Sequence, residues 1–323
     1  MKLATERTDG PDGRLLVVSR DLTRAAVAPV PTLQAALDDW TGAEPQLDDL
    51  YRRLNDGSER GVAFRPEAMA APLPRAWQWL DGSAFSSHGA LMQRAFNLPP
   101  IATDRPLMYQ GMSHRFLSGT DDVPLPSEAD GIDFEGELGI ITDAVPMGAS
   151  AEAALGHIRL AVLINDWSLR TIAPVEMKTG FGWVQAKPAC SVAPVAVTLD
   201  ELGSDWTKGR MALTLAVALN GERFGDVPAI RMDFGFHELV AHAARTRDLC
   251  AGTIIGSGTV SSSDYANVGS CCIAERRAIE MIEAGGPGTP FMRFGDRVRM
   301  EAMASDGRRL FGIIDQQVVK AAA

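Results

Sequence analysis

The chain has 323 residues, 46% of them hydrophobic and 22% charged, the proportions of an ordinary globule rather than of a fibrous or disordered polypeptide. Its formal charge of -10 argues against general binding to nucleic acid or to anionic membrane surfaces. No stretch reaches the roughly 18 apolar residues of a membrane span, the start of the chain is charged too early for a signal peptide, and Cys190, Cys250, Cys271 and Cys272 show no C-x-x-C spacing, so free thiols and a cytoplasmic location are expected.

In chain order, residues 15–19 and 25–28 read as short apolar strands joined by a turn at Arg20-Asp21-Leu22-Thr23. Apolar residues at helical spacing predict a helix from Thr32 to Trp40 and another from Gln46 to Leu54. Asn55-Asp56-Gly57-Ser58 ends this unit, and a connector with Pro66, Pro72 and Pro74 follows. A boundary is therefore placed near residue 70, dividing a small N-terminal α+β domain, 1–70, from a larger domain, 71–323. Asp81 and His88 then stand seven apart across a glycine-serine turn, and an isolated histidine in such a place is more often a surface or capping residue than a catalyst. The stretch from Pro99 to Asp130, with Tyr109-Gln110-Gly111, is rich in loops and reads as a cover.

The next stretch, Asp133-Phe134-Glu135-Gly136-Glu137-Leu138, carries the strongest chemical signal. If residues 134–141 form a strand, side chains alternate, so Glu135 and Glu137 point the same way about 7 Å apart, with Asp133 on the same face. Carboxylates converging there repel one another unless a cation lies between them. An exposed acidic strand is the bland alternative. Against it stands the apolar run 161–165, which ends abruptly in Asp166, the pattern of a buried strand delivering an acid. Oxygen-only ligation favours Mg²⁺, Mn²⁺ or Ca²⁺ over zinc.

Further on, Lys187 lies between a glycine-aromatic loop, residues 180–183, and an apolar strand, residues 192–197. Asn220-Gly221 is a hairpin signal, and residues 234–247 read as a helix whose His237 and His242 lie on different faces and are structural. Residues 253–261 resemble a strand opening into a glycine-serine loop without the lysine of a P-loop. Strands at 297–301 and 310–314 flank a turn at Asp306-Gly307. Several hairpins with few helices imply an α+β fold dominated by antiparallel sheet.

From about residue 72 onward the chain resembles the fumarylacetoacetate hydrolase family. The resemblance rests on Asp133-Phe134-Glu135-Gly136-Glu137-Leu138, Asn165-Asp166-Trp167-Ser168-Leu169-Arg170, Gln185-Ala186-Lys187-Pro188, Gly256-Ser257-Gly258-Thr259-Val260-Ser261 and Phe294-Gly295-Asp296, in that order. It implies a mixed β-sandwich roll, usually a homodimer, and a divalent metal, Mg²⁺ first and Mn²⁺ or Ca²⁺ as alternatives, on Glu135, Glu137 and Asp166. Asp81 matches an upstream acid of fumarylacetoacetases and a possible further ligand. His88 matches the catalytic histidine, Lys187 the active-site lysine, Thr259 the substrate-binding threonine, and Tyr109 a substrate-binding tyrosine. On this resemblance Asp133 serves the strand end rather than the metal.

There are departures. The family's tyrosine, arginine and glutamine positions are Ser83, Asn97 and Ala173 here, and the glutamate that orients the histidine falls at Ile273, with Glu275 close by. These point away from fumarylacetoacetate itself as substrate. The implied activity is hydrolysis of a carbon–carbon bond in a β-diketo acid such as an acylpyruvate, as in aromatic catabolism. The metal would stabilise the departing enolate, and a histidine would activate water. Decarboxylation, tautomerisation or hydration of a 2-oxo acid is the alternative, and a non-catalytic binder of metal and small acids the reading from another class.

Overall fold

The computed structural model describes residues 1–97, 99 and 104–322, so part of the expected loop-rich stretch, residues 100–103, lies outside the described residues. Two sheets dominate an α+β arrangement. The larger has twelve strands among the described residues. Its main path runs Val62–Ala63, Arg24–Val27, Arg14–Val18, Lys2–Glu6, Val195–Thr198, Ile158–Asn165, Gly136–Thr142, Ile254–Gly256, Trp79–Gly82 and Met108–Gln110. Neighbours on this path are antiparallel except Ile254–Gly256 and Trp79–Gly82, which run parallel. Because Lys2–Glu6 pairs with Val195–Thr198, the N-terminal strands extend the same sheet that carries the acidic residues.

Strand alternation divides this sheet between two apolar layers. Leu15, Val17, Leu160, Val162 and Ile164 face helices Leu33–Asp38 and Trp40–Asp56, meeting Leu37, Leu47, Leu50 and Leu54. Leu16, Val18, Ala161 and Leu163 face the other way, into a core shared with Leu215, Val217, Met300 and Ile314 of the second sheet. Truncating a leucine in either layer to alanine would cost about 2–5 kcal/mol. The second sheet orders Glu222–Pro228, Thr214–Leu219, Arg297–Met303, Ile314–Lys320 and Val123–Leu125.

Local chemistry accounts for most element ends. Asn220 and Gly221 both have positive φ, 53° and 83°, the backbone of a tight hairpin. Thr32 Oγ1 accepts from Ala35 N and starts the first helix. The second begins at Trp40 rather than Gln46, because the Asp39 carboxylate accepts from Gly42 N there, and it continues through Pro45. After Asp306-Gly307 the returning strand begins at Ile314 rather than Leu310. Leu310 and Phe311 instead fill the core, and Phe311 O accepts from Val195 N at 3.1 Å. The helix expected over 234–247 is Phe236–Ala243 with a short 3-10 turn after it.

Candidate metal centre and active site

The strand expected over 134–141 is broken, and the break builds the site. Ile132–Asp133 pairs with Ser168–Leu169, and Gly136–Thr142 pairs with Ile158–Asn165, while Phe134 and Glu135 leave the ladder between them. There Glu135 N donates to Asn165 Oδ1 (3.0 Å) and Asp166 N donates to Glu135 O (3.0 Å). Asp133 is turned away from the other acids. Its carboxylate accepts from Ile273 N (2.7 Å) and Ala274 N (2.9 Å) at the start of helix Ile273–Ala284, and Arg170 Nε lies 2.8 Å away. An anion at a helix start satisfies otherwise unpaired N–H groups. Strand alternation predicts Asp133 on the face shared by Glu135 and Glu137, and the break in the ladder after it removes it from that face.

Asp81, Glu137 and Asp166 converge. Asp81 opposes Gly256 across the parallel ladder and Tyr109 across the antiparallel one. One oxygen from each of the three acids lies within 4.8 Å of the others, and all three residues are buried. The approach depends on Gly256: a Cβ there would stand 2.5 Å from Asp81 Oδ1 and 2.8 Å from Glu137 Oε2. Both Glu137 oxygens are buried and, apart from the adjoining Asp81 carboxyl, have no hydrogen-bond partner among the described residues. Burial, then the charge of Asp166, pushes the Asp81 carboxyl up to about 8. Burial, then the charge of Asp81, raises Glu137 well above the carboxylate range. Such a cluster requires protons or a cation. Buried carboxylate oxygens in an all-oxygen set fit a hard divalent ion such as Mg²⁺, Mn²⁺ or Ca²⁺.

Glu135 stands beside this cluster rather than within the tightest group, and an ion network fixes it. Its Oε1 accepts from Ser168 Oγ (2.8 Å) and Lys187 Nζ (3.1 Å) and lies 2.7 Å from Arg170 Nη2, while Thr259 Oγ1 donates to Oε2 (3.0 Å). Burial alone would raise the Glu135 carboxyl, but Lys187 and Arg170 outweigh it and hold the group well below the usual range. Asp166 Oδ2 accepts from Lys187 Nζ (2.6 Å) and Tyr109 Oη (2.6 Å), and Oδ1 accepts from the Cys190 thiol (2.8 Å). Although burial opposes its charge, Lys187 is kept protonated by Asp166 and Glu135. Burial and Asp166 together raise Tyr109 and Cys190, so both remain neutral donors. Trp183 packs edge-on to Tyr109 at 4.9 Å, and its ring centroid lies 5.7 Å from Lys187 Nζ.

His88 sits in helix Ser86–Phe96, which packs against helix Ile273–Ala284. Its Nδ1 lies 3.3 Å from Glu275 Oε2, and Ser261 Oγ donates to Glu275 Oε1 at 3.0 Å. The position aligned with the family's histidine-orienting glutamate, Ile273, is a buried apolar residue, and Glu275 two residues on faces His88. Sequence reasoning noted Glu275 near the aligned position but missed the helix that turns it toward His88. The spacing of Ala274, Ala278, Met281 and Ile282 was the available signal, obscured because the capping residue is Cys272, an unusual cap. Cys190 and Trp183 were also missed, since their contacts join segments far apart in sequence. His237 and His242 join no group of potential ligands among the described residues. An open hollow of about 550 Å³ lined by Val27, Pro45, Asp49, Leu50, Arg53 and Glu59 lies on the N-terminal helix, away from the acids, and its Asp49 and Glu59 are paired with Arg53.

Comparison with known proteins agrees with this architecture. Residues 78–319 match the family described as fumarylacetoacetate (FAA) hydrolase C-terminal, and residues 1–75 match fumarylacetoacetase N-terminal domain 2. The chain is 28% identical over 163 residues to 2,4-didehydro-3-deoxy-L-rhamnonate hydrolase of Sphingomonas sp. (strain SKA58), covering 50% of this chain and 54%, about half, of that relative. It is 24% identical over 303 residues to fumarylacetoacetase of Caenorhabditis elegans, covering 84% of this chain and 67% of the relative. Among solved structures, a putative HpcE protein from Mycobacterium smegmatis has a TM-score of 0.67 at 18% identity, with both chains fully covered. Maleylpyruvate hydrolase from Sphingobium sp. SYK-6, in complex with manganese (II) ion and pyruvate, has a TM-score of 0.66 at 16% identity, again with full coverage. With three quarters of its length matched by that C-terminal description, the chain belongs to the fumarylacetoacetate hydrolase family.

Proposed function

We propose that this protein is a divalent-metal-dependent hydrolase that cleaves a carbon–carbon bond in a β-diketo acid of the acylpyruvate type. The observation that carries the reading is the buried Glu137 carboxylate among Asp81 and Asp166, with a histidine paired to Glu275 close enough to act on the neighbouring Glu135. Glu137, Asp166 and Asp81, with Glu135 next to them, would hold the cation. When bound, that ion supplies positive charge that polarises the enolisable oxygens of the substrate.

The chain's own residues supply the remainder. With Nδ1 3.3 Å from Glu275 Oε2, His88 would carry its proton on that side and leave Nε2 as the base for a water molecule. As the water oxygen bonds to the distal carbonyl carbon, His88 takes a water proton, and the protonated Lys187 lies ready to stabilise negative charge on oxygen. The carbon–carbon bond then breaks, its electron pair leaves with the 2-oxo acid fragment as an enolate, and His88 returns the proton to that carbon. The products are a carboxylic acid and a 2-oxo acid, with one water consumed. Tyr109 and Cys190 orient Asp166, while Thr259 orients Glu135 and adds a hydroxyl for a substrate oxygen once the cation is bound. The manganese and pyruvate in the maleylpyruvate hydrolase neighbour are in keeping with an acylpyruvate substrate, whose hydrolysis releases pyruvate.

A second reading keeps the cation and Lys187 but dispenses with water activation: decarboxylation, tautomerisation or hydration of a 2-oxo acid. It is favoured by a fold neighbour from Mycobacterium abscessus described as a probable 2-hydroxyhepta-2,4-diene-1,7-dioate isomerase. A spectrophotometric screen of acylpyruvates, read by loss of enol absorbance with Mg²⁺, Mn²⁺ and Ca²⁺ in parallel, decides between them. Stoichiometric carboxylic acid supports hydrolysis, whereas carbon dioxide or an isomer without it overturns that reading.

A further inference from the structure

A second cluster of potential ligands adjoins the acidic one and differs from it in kind. His88, Cys272 and Glu275 place a ring nitrogen, a sulfur and a carboxylate oxygen within 4.8 Å of one another. We propose that these three side chains form a zinc-binding site which, when filled, switches the enzyme off.

The donor types carry the first step. The acids around Glu137 offer oxygen alone, the set of a hard ion, whereas nitrogen, sulfur and one carboxylate form a set that zinc prefers. Three protein donors leave a fourth tetrahedral position for water.

Placement carries the second. Cys272 caps helix Ile273–Ala284 and Glu275 lies three residues on, so the two share one side of the first turn, and Glu275 N donates to Cys272 Sγ at 3.3 Å. His88 arrives from the opposing helix Ser86–Phe96. Zinc bound at about 2.0–2.3 Å needs donors roughly 3.3–3.8 Å apart, and His88 Nδ1 and Glu275 Oε2 already stand at 3.3 Å. Ser261 holds the other Glu275 oxygen, the kind of outer contact that fixes a ligand's orientation. Cys272 and Glu275 are fully buried while the His88 side chain is 21% exposed, so an ion enters past His88.

The consequence follows from which atoms are used. Zinc here would take His88 Nδ1 and Glu275, the pair whose contact aims the histidine in the proposed hydrolysis. The inhibitory part of the inference rests on that reading of His88; the binding part does not.

The test uses the Mg²⁺-loaded protein titrated with Co²⁺ as a spectroscopic stand-in. A thiolate-to-cobalt charge-transfer band in the near ultraviolet should grow and saturate. Cys272→Ser, which keeps a capping hydroxyl, should abolish the band, and Glu137→Gln should leave it. In the turnover assay, Cys272→Ser should retain basal activity and raise the half-inhibiting Zn²⁺ concentration by roughly 100-fold or more, the upper end of what disturbing a metal's surroundings costs. A band that is absent, or that persists in Cys272→Ser, overturns the site. Equal zinc sensitivity of wild type and Cys272→Ser overturns the switch. Failure of every β-diketone as substrate would count against the proposed hydrolysis alone, because the cobalt band is read without turnover. Should Cys272→Ser fail to fold, His88→Ala must weaken the band instead, and an undiminished band there refutes the site.

Discussion

Metal-free protein should lose stability as pH rises, and a divalent cation should offset much of that loss. Asp81 is buried and its carboxyl is pushed from 3.8 up to about 8, by burial first and the charge of Asp166 second. Glu137 moves in the same direction. A folded-state value above the unfolded one stabilises the fold fully below the unfolded value, near pH 4. That contribution is lost as pH climbs through about 8. At 1.36 kcal/mol per unit, the Asp81 displacement sets an upper bound on the order of 5 kcal/mol, shared across the interacting acids. For a chain of this size that is on the order of 10 °C in melting temperature between pH 5 and 9. Mg²⁺ or Mn²⁺ at about 100 times its Kd should restore about 2.7 kcal/mol. Glu137→Gln removes one of the repelling charges, so the metal-free variant should show a flatter pH profile and gain nothing from metal. Thermal melts followed by circular dichroism, with chelator or metal at each pH, measure all four conditions. A flat metal-free wild-type profile, or a variant stabilised by metal as strongly as the wild type, would refute the reasoning.

Other substitutions probe single contacts. Glu275→Gln replaces a charge-assisted contact to His88 with a neutral one, and a loss of about 1.5–3 kcal/mol predicts roughly a 10–100-fold lower kcat with little change in KM. An unchanged kcat would remove Glu275 from the account. His88→Ala should end carbon–carbon hydrolysis while sparing any oxaloacetate decarboxylation, and comparable loss of both would show that His88 does not act specifically on water. Gly256→Ala would place a Cβ 2.5 Å from Asp81 Oδ1. Overpacking should cost about 1–3 kcal/mol in stability and weaken metal affinity by calorimetry; normal affinity would mean that the acids need not approach as closely as described.

Local pattern made much of this legible, and long-range geometry accounts for the remainder. Alternating and continuous apolar runs identified the strands that deliver Glu137 and Asp166, because burial on two faces imposes its own periodicity. The landmark order placed Asp81, His88 and Lys187 with them. The roles of Asn165, Ser168 and Arg170 around Asp166 were not visible. Asn165, Ser168 and Arg170 all serve the displaced Glu135, and that becomes apparent only once the ladder is seen to break. A period-two pattern marks faces but carries no sign of where a strand will leave its partner, so Asp133 was first placed with acids from which it turns away. The union of Lys2–Glu6 with Val195–Thr198 likewise depends on pairing across nearly two hundred residues, which no local spacing encodes.

The central claim is that hydrolysis depends on a cation held by the acids around Glu137. The most direct measurement is Mn²⁺ titration of the metal-free protein, with bound ion read by electron paramagnetic resonance and acylpyruvate turnover measured on the same samples. Activity should rise in proportion to a single bound ion per chain, and Glu137→Ala should bind none and turn over nothing. An active Glu137→Ala protein without bound metal would contradict the account.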